Sequence, residues 1–188
     1  MISARGLAKR YGDKRVFAGV DLELPDGGFL LVTGPNGSGK TTLLRVLAQL
    51  AAPSAGELQL PERRAIGYLG HEPLVYRELT PLENLTLFAR LYRVERERVG
   101  MLLERFGLWE VRNERVSTFS RGMQQRLGLC RVLLHEPTHL LLDEPYNALD
   151  AQGAELLDAV LDEPRTHIVA THEPERVAGR ATERLAFA

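Results

Sequence analysis

Gly34-Pro35-Asn36-Gly37-Ser38-Gly39-Lys40-Thr41 is the stretch of sequence that decides the fold. It satisfies the phosphate-loop pattern, in which glycines let successive backbone N–H groups turn inward around phosphate oxygens. An apolar run from Phe29 to Val32 precedes it and predicts a strand. After it, Leu43, Leu44, Leu47 and Leu50 recur at helical spacing and predict a helix. The order strand, loop, helix is the one that phosphate binding requires, because the positive end of the helix then faces the anion.

The polar side chains of this loop each have a predicted role. Lys40 should bridge the β- and γ-phosphates, and the Thr41 hydroxyl should ligate Mg²⁺, which favours oxygen ligands. An ordinary glycine turn is the alternative, and the flanking strand and helix disfavour it. The predicted nucleotide site comprises Gly34, Pro35, Asn36, Gly37, Ser38, Gly39, Lys40, Thr41 and Thr42.

A second apolar run ends in two carboxylates, as Leu140-Leu141-Leu142-Asp143-Glu144. A phosphate loop is served by acids at the end of a neighbouring buried strand. We expect Asp143 to hold Mg²⁺ through its water shell and Glu144 to polarise the attacking water near the γ-phosphate. Taken alone, the segment would favour a solvated acidic turn after a core strand, and the presence of Lys40 disfavours that alternative.

Composition restricts the class of protein. The 188 residues, 44% of them hydrophobic, suffice for one compact domain with its own core. Lys and Arg number 24 against 25 Asp and Glu, so no global field favours a nucleic acid, and we expect no such partner. The single cysteine, Cys130, lies in an apolar run and predicts a buried thiol. No apolar stretch approaches the roughly 18 residues that span a bilayer, so we expect a membrane link only through a partner.

Helix and strand patterns alternate along the rest of the chain. Thr80-Pro81-Leu82-Glu83 is a capping box that predicts a helix start, and a second helix is predicted near Val99 to Phe106. The strand pattern returns in three later segments, His139 to Asp143, His167 to Ala170 and residues 184 to 188. These patterns predict an α/β fold that carries an inserted helical subdomain.

One motif is misleading. His135-Glu136-Pro137-Thr138-His139 matches the zinc-protease pattern, but that chemistry needs both histidines on one continuous helix. Pro137 disfavours helix at Glu136, and the segment leads directly into the strand that ends at Asp143. We therefore expect metal ligation only at Thr41 and Asp143.

Four further segments carry a resemblance to the ABC ATPases. Phe119-Ser120-Arg121-Gly122-Met123-Gln124-Gln125-Arg126 resembles the signature sequence of that family and lies shortly before the Asp143 strand, as it does there. Asn147-Ala148-Leu149-Asp150 resembles the D-loop, and Thr171-His172 resembles the segment of the switch histidine. Tyr11, upstream of a strand that contains Val16, looks like the aromatic residue that stacks on adenine. Together these segments span nearly the whole chain in the order of the family.

The resemblance implies an ATP hydrolase of the ABC type, with ATP and Mg²⁺ as its cofactors. It implies a P-loop NTPase (RecA-like) core with an N-terminal antiparallel β-subdomain. The whole chain would be a single nucleotide-binding domain. In it, residues 1–72 and 131–188 form the catalytic core, and residues 73–130 form the helical subdomain with the signature.

The resemblance also implies a head-to-tail dimer of two copies of the chain. Each ATP would lie between Lys40 of one subunit and Ser120 and Gly122 of the other, where a helix N-terminus and a glycine permit close approach. His172 would contact the γ-phosphate, and Asp150 would carry contact across the interface. For Tyr11 an alternative remains, an aromatic residue of a strand that packs in the core.

Three positions depart from the pattern of the family. Arg121 replaces the usual glycine of the signature and Met123 its glutamine, while Ser120 is kept, so we expect ATP binding across the dimer to persist. His71, in Tyr68-Leu69-Gly70-His71-Glu72-Pro73, replaces the Q-loop glutamine that reaches Mg²⁺ and the attacking water. Because imidazole titrates near neutrality, we expect turnover to depend more on pH than it would with glutamine.

The sequence around His71 and the signature resembles the ATP-binding subunit of the cytochrome c maturation complex, a family often called the haem exporter. This implies an integral membrane permease as partner and a position on the cytoplasmic face of the membrane. A permease helix would contact Leu74, Val75, Tyr76 and Leu79, for which core packing is the alternative.

Other classes of protein are weighed against this interpretation. ATPases of drug, lipid or polysaccharide exporters share several of these features and remain open. A soluble ABC protein of translation or DNA repair usually carries two ATPase units or a long coiled-coil insertion, and this sequence shows neither. A small phosphate-loop kinase is disfavoured by the signature and the switch histidine.

Overall fold

The computed structural model describes residues 1–187, and its internal contacts divide the chain into two compact units. The sheet unit comprises residues 1–68, 138–144 and 164–187, and the helical unit comprises residues 69–137 and 145–163. The helical unit contains the predicted helical segment, residues 73–130, and also residues 69–72, 131–137 and 145–163, which the resemblance assigned to the catalytic core. Ala188, the last residue of the final predicted strand, lies outside the described residues.

The strands, in chain order, are β1 (Ile2–Tyr11), β2 (Lys14–Leu24), β3 (Phe29–Thr33), β4 (Ala55–Gln59), β5 (Ile66–Leu69), β6 (His139–Asp143), β7 (Thr166–Ala170) and β8 (Glu183–Ala186). The helices are α1 (Lys40–Leu47), α2 (Pro81–Tyr92), α3 (Glu97–Arg105), α4 (Arg121–Leu133) and α5 (Ala151–Leu161).

The strands form two sheets. A three-stranded antiparallel sheet has the order β2-β1-β4. A five-stranded sheet has the order β5-β6-β7-β3-β8, in which β7 pairs in parallel with β6 and β3, and β3 pairs in parallel with β8. The predicted α/β fold with an N-terminal antiparallel subdomain and a P-loop core is therefore confirmed.

One hydrophobic cluster fills the sheet unit. It joins side chains of both sheets to the apolar face of α1, including Leu7, Phe17, Leu44, Leu141 and Ile168, which are at most 5% exposed. Every residue of β6 and β7 is buried, which is the near-continuous apolar pattern of strands in a parallel sheet. This packing fixes the carboxyl ends of β3, β6 and β7, where the predicted site residues follow.

Helix α1 is shorter than the apolar spacing predicts, and the inclusion of Leu50 in it is wrong. The helix ends at Leu47, and Gln49 adopts a left-handed backbone with φ 58°. The backbone N–H of Leu50 donates to the carbonyl of Arg45 at 2.8 Å, in a turn that satisfies the last carbonyls of the helix. Leu50 is consequently 51% exposed, whereas Leu47 is fully buried.

The helical unit begins its first helix at the predicted capping box. The backbone N–H of Glu83 donates to Oγ1 of Thr80 at 3.2 Å, and the backbone N–H of Thr80 donates to Oε2 of Glu83 at 2.8 Å. The fully buried amide of Asn84 binds both the N–H and the carbonyl of Tyr76, at 2.8 and 2.9 Å. These bonds give the loop before α2 a fixed path.

Helix α4 ends at Leu133, and Glu136 has a left-handed backbone with φ 53°. His135 and His139 therefore do not lie on one continuous helix, and the geometry excludes the zinc-protease motif as predicted. Cys130 in α4 is fully buried, and burial raises the pKa of its thiol, as expected for an unreactive cysteine. Among residues 1–187, no helix combines the length and the apolar character needed to cross a bilayer.

Candidate nucleotide site

The phosphate loop connects β3 to α1 within the sheet unit. Gly34, Gly37 and Gly39 all have positive φ, at 142°, 82° and 113°, which non-glycine residues rarely adopt. A Cβ added at Gly39 would lie 3.2 Å from Cγ1 of Val16, and one at Gly34 would lie 2.8 Å from the carbonyl oxygen of Phe187. The loop therefore requires glycine for its backbone and for its close neighbours.

The interior of this loop is suited to an anion. Lys40 is only 6% exposed, and its ammonium donates to the carbonyls of Gly34 at 2.6 Å and Pro35 at 3.2 Å. The hydroxyl of Ser38 is buried and has no hydrogen-bond partner within residues 1–187. Because a buried hydroxyl without a partner is costly, phosphate oxygens are chemically suited to satisfy both Ser38 and Lys40.

Two oxygen-bearing side chains meet where α1 lies against β6. Oγ1 of Thr41 donates to Oδ2 of Asp143 at 2.6 Å, and Asp143 is 1% exposed. A hydroxyl and a carboxylate at this separation are a hard-oxygen donor set, which is what Mg²⁺ prefers. Their chemistry therefore fits the predicted metal ion.

Glu144 follows Asp143 and turns back toward β7. Its backbone has φ 50°, a strained conformation for a non-glycine residue, and its N–H donates to the carbonyl of Ala170 at 2.8 Å. Its Oε2 lies 2.8 Å from Nδ1 of His172 and 3.3 Å from the backbone nitrogen of His172. The parallel pairing of β6 with β7 thus brings the predicted base and the predicted switch histidine into direct contact.

Tyr11 and Val16 lie on the antiparallel sheet, at the ends of β1 and β2. Tyr11 is 52% exposed, so the alternative that it packs in the core is wrong. Lys9 pairs with Phe17 and Arg10 pairs with Arg15, so Val16 is the extra residue of a β-bulge. A bulge re-aims a side chain, and here Cγ1 of Val16 faces Gly39 of the phosphate loop.

The remaining predicted residues lie in the helical unit. Oγ of Ser120 caps α4 by accepting from the backbone N–H of Met123 at 3.2 Å, and Oδ1 of Asp150 caps α5 by accepting from Gly153 at 2.8 Å. A Cβ added at Gly122 would lie 2.7 Å from the carbonyl oxygen of Ala148. The signature therefore packs directly on the 147–150 loop, and His71 is exposed in this unit.

Two residues near the phosphate loop were not predicted. The backbone oxygen of Phe187 approaches Gly34, and its ring packs edge-on against Phe17 at 5.9 Å. Tyr68, at the end of the first part of the sheet unit, has a raised pKa, mainly because it is partly buried and also because of the charge of Asp143. Phe187 belongs to no motif, and Tyr68 begins the segment of His71 but was given no role there; the strand order brings both into this unit.

Comparison with known sequences identifies relatives along most of the chain. The family model described as ABC transporter matches residues 17–147, more than half of the sequence. The ABC transporter ATP-binding protein YxlF of Bacillus subtilis is 37% identical over 194 residues, covering 94% of this chain and 65% of YxlF. The daunorubicin resistance ATP-binding protein DrrA3 of Streptomyces coeruleorubidus is 42% identical over 174 residues, covering 85% of this chain and 55% of DrrA3.

A third relative matches over more of its own length. The cytochrome c biogenesis ATP-binding export protein CcmA of Cupriavidus necator is 39% identical over 188 residues, covering 92% of this chain and 83% of CcmA. The chain thus spans 65% and 55% of the lengths of the first two relatives, which is between half and two thirds. It spans 83% of the length of the third.

Solved structures agree with the fold. The ATP-binding subunit of an ABC transporter superposes with a TM-score of 0.90 at 24% identity, over 100% of this chain and 85% of that chain. A dimeric post-hydrolysis state of the ATP-binding cassette MJ0796, bound to ADP and Pi, has a TM-score of 0.87 at 26% identity, over 100% of this chain and 94% of that one. The chain therefore belongs to the ABC transporter family and has the fold of its ATP-binding subunits.

Proposed function

We propose that this chain binds and hydrolyses ATP as the ATP-binding subunit of an ABC transporter. The observation that carries the proposal is the arrangement at the carboxyl ends of β6 and β7. There Asp143, at the end of β6, contacts the hydroxyl of Thr41. Glu144 comes next and contacts His172, which follows the adjacent strand β7 of the same sheet. A phosphate loop, a metal-binding pair and a base form the set that nucleotide hydrolysis needs.

The residues of this site divide the work. The glycine loop and Lys40 bind the β- and γ-phosphates, and Thr42 extends the loop into α1. Mg²⁺, held by Thr41 and Asp143, would supply charge neutralisation on the phosphates. Glu144 accepts a proton from the attacking water, and His172 orients the Glu144 carboxylate through the contact at 2.8 Å.

The second half of the site comes from another copy of the chain. Ser120 and Gly122 lie at the N-terminus of α4, where backbone N–H groups and the helix dipole favour an anion. In the proposed head-to-tail dimer they contact the ATP that is bound at Lys40 of the other copy. The dimeric structure of MJ0796 with ADP and Pi supports this arrangement, at 26% identity to this chain.

A permease is proposed to bind the helical unit, which would place the chain on the cytoplasmic face of a membrane. Leu74 and Tyr76 are 57% and 54% exposed, so core packing does not account for them. The ring of Phe88 stacks with those of Tyr76 and Tyr92, whose centroids are 6.2 and 6.3 Å away. The exposed apolar side chains of this unit also include Leu87, Leu91 and Tyr92. An apolar, aromatic surface of this kind suits a helix of a partner.

Among transporters, we propose the cytochrome c biogenesis exporter as the assembly that this chain serves. CcmA proteins of Cupriavidus necator, Pseudomonas syringae and Methylococcus capsulatus are 39%, 35% and 39% identical to it and are covered over 83%, 87% and 84% of their length. The segment that contains His71 adds to the resemblance. A drug exporter is the second candidate, because the daunorubicin resistance protein DrrA3 is 42% identical.

A pull-down with the Glu144→Gln variant tests this proposal. Loss of the base should hold the ATP-bound dimer on its partner, so gently solubilised membranes should yield an integral membrane protein that mass spectrometry identifies. Lys40→Ala, which removes the phosphate contact, is the control and should lose the ATP-dependent part of the capture. Haem-handling subunits beside the permease support the cytochrome c assignment, and a drug permease supports the alternative. Recovery of ribosomes or DNA-repair proteins contradicts a transport role.

A further inference from the structure

Lys9 lies against the ring of Tyr11. Its Nζ is 4.7 Å from the centroid of the Tyr11 ring, a cation–π contact, and the same ammonium donates to the carbonyl of Ala52 at 2.7 Å. Lys9 is partly buried, while Tyr11 is 52% exposed. One face of an otherwise exposed aromatic ring is thus covered by an anchored cation.

Lys9 is anchored on the side of β4. Strand β1 lies between β2 and β4, and Ala52 precedes β4 in the chain. This segment follows β1 closely, because the N–H of Ser54 donates to the carbonyl of Ala8 at 2.8 Å and the N–H of Arg10 donates to Oγ of Ser54 at 3.0 Å. Lys9 therefore reaches the Tyr11 ring from the side of β4.

The phosphate loop contacts β2, the other neighbour of β1 in this sheet. A Cβ at Gly39 would lie 3.2 Å from Cγ1 of Val16 and 3.5 Å from the ring of Phe17, and both residues belong to β2. A base whose phosphates are held by this loop would approach Tyr11 from the side of β2 in the proposed site. Tyr11 is 52% exposed, so the contact with Lys9 leaves part of its ring surface open.

We propose that Lys9 is a positioning residue of the nucleotide site, which acts by holding the Tyr11 ring with one face toward the phosphate loop. The inference rests on the proposed ATP binding, and in it the positioned Tyr11 ring recognises the purine base. An exposed tyrosine side chain otherwise samples several rotamers, and ordering it when the base binds costs conformational entropy. Lys9 reduces this cost in advance and does not contact the phosphates.

The expected effect is specific to the base. A cation–π contact at an exposed site corresponds to about two- to five-fold in affinity, so Lys9→Met should weaken ATP binding by that factor. Binding of inorganic tripolyphosphate, which has no base, should be unchanged. Lys9→Arg keeps a cation over the ring and should restore ATP affinity.

Isothermal titration calorimetry with Mg²⁺-ATP and Mg²⁺-tripolyphosphate tests the inference, with thermal unfolding to verify that each variant is folded. Lys14→Met is the matched control, since Lys14 pairs with Tyr11 across the strands and its loss leaves the Lys9 contact in place. In a Tyr11→Ala background, Lys9→Met should cause no further loss. Equal losses with and without Tyr11, unchanged ATP affinity, or equal weakening for tripolyphosphate each overturn the role of Lys9. Absence of ATP binding by the native chain instead overturns the proposed function itself.

Discussion

Oε2 of Glu144 lies 2.8 Å from Nδ1 of His172, and the backbone nitrogen of His172 lies 3.3 Å from the same oxygen. Asp143 pairs with Ala170 in the sheet, so each of these two residues comes shortly after the end of its strand. The Glu144 side chain is 13% exposed and that of His172 is 46% exposed. The Glu144 carboxylate is thus largely shielded from solvent, whereas the histidine that it contacts is open to solvent.

Glu144→Gln should abolish ATP hydrolysis while ATP binding is kept. The amide has nearly the shape of the carboxylate but cannot accept the proton of the attacking water, and a general base contributes about 10²–10⁴-fold. Phosphate release under saturating ATP measures the change. Glu173→Gln is the control, because Glu173 is also near His172, with its carboxylate 3.7 Å from Nε2, but is 77% exposed. Similar turnover for Glu144→Gln and the native chain contradicts the assignment of the base.

Thr41→Val should raise the Mg²⁺ concentration needed for half-maximal hydrolysis. Valine keeps the branched shape but removes the hydroxyl that lies 2.6 Å from Asp143, so one of the two hard-oxygen ligands is lost. Thr41→Ser keeps the hydroxyl and should behave as the native chain does. Hydrolysis measured against Mg²⁺ at constant ATP distinguishes the variants. An unchanged Mg²⁺ dependence in Thr41→Val excludes this hydroxyl as a ligand.

Gly122→Ala should weaken the ATP-dependent dimer. The added methyl would lie 2.7 Å from the carbonyl oxygen of Ala148, too close for a real contact, so the signature or the 147–150 loop must shift. Overpacking of this kind costs about 1–3 kcal/mol. The dimer fraction can be measured by light scattering in the Glu144→Gln background with ATP.

Gly179→Ala is the matched control for this change. A Cβ at Gly179 meets no atom within 4 Å among the described residues, and its φ is not in the left-handed region. The control should dimerise as its parent does. If Gly122→Ala also dimerises normally while remaining folded, the contact between the signature and the 147–150 loop does not govern assembly.

Most of the fold and of the phosphate site could be predicted because they depend on local sequence. The β6 strand was predicted with the bounds that the structure shows, since the apolar run Leu140-Leu141-Leu142 that ends in two carboxylates leaves little ambiguity. Leu50 was placed wrongly because apolar spacing does not reveal the left-handed turn at Gln49 that ends α1.

The contacts that depend on strand order could not be predicted. Phe187 approaches Gly34 because β8 pairs with β3, although 153 residues separate the two in sequence. The Lys9–Tyr11 contact depends on Ala52, which belongs to a different part of the chain. Motifs identify residues that carry chemistry, whereas the residues that position them are fixed by topology.

His71→Gln should make turnover less dependent on pH. His71 is exposed and replaces a glutamine in the family pattern, so the variant exchanges an imidazole for the amide that the family usually has. Steady-state hydrolysis at saturating ATP, measured at several values between about pH 6 and pH 8, reports the change. Coincident profiles for the two proteins show that His71 does not take part in the titrating step.

His139 should make the stability of the protein fall as the pH is lowered. Burial is the main cause that lowers the pKa of His139, and the positive charge of the N-terminus lowers it further. The carboxylate of Asp26, 3.2 Å from Nε2 of His139, acts in the opposite direction and raises this pKa. The unfolded chain takes up a proton near about pH 6.5, whereas the folded chain does so only at lower pH. Below about pH 6.5 the unfolded state therefore binds more protons, and the free energy of unfolding falls until the folded pKa is passed.

Urea denaturation at about pH 7.5 and about pH 5.5 measures this difference, because the two values bracket the pKa of an unfolded histidine. His139→Gln removes the titrating group and should flatten the dependence. It should also lower stability at the higher pH, because the ring is buried and contacts Thr138 at 2.9 Å. His71→Gln, at an exposed histidine, is the control and should keep the native slope. If His139→Gln retains that slope as well, another group is responsible for the loss of stability in acid.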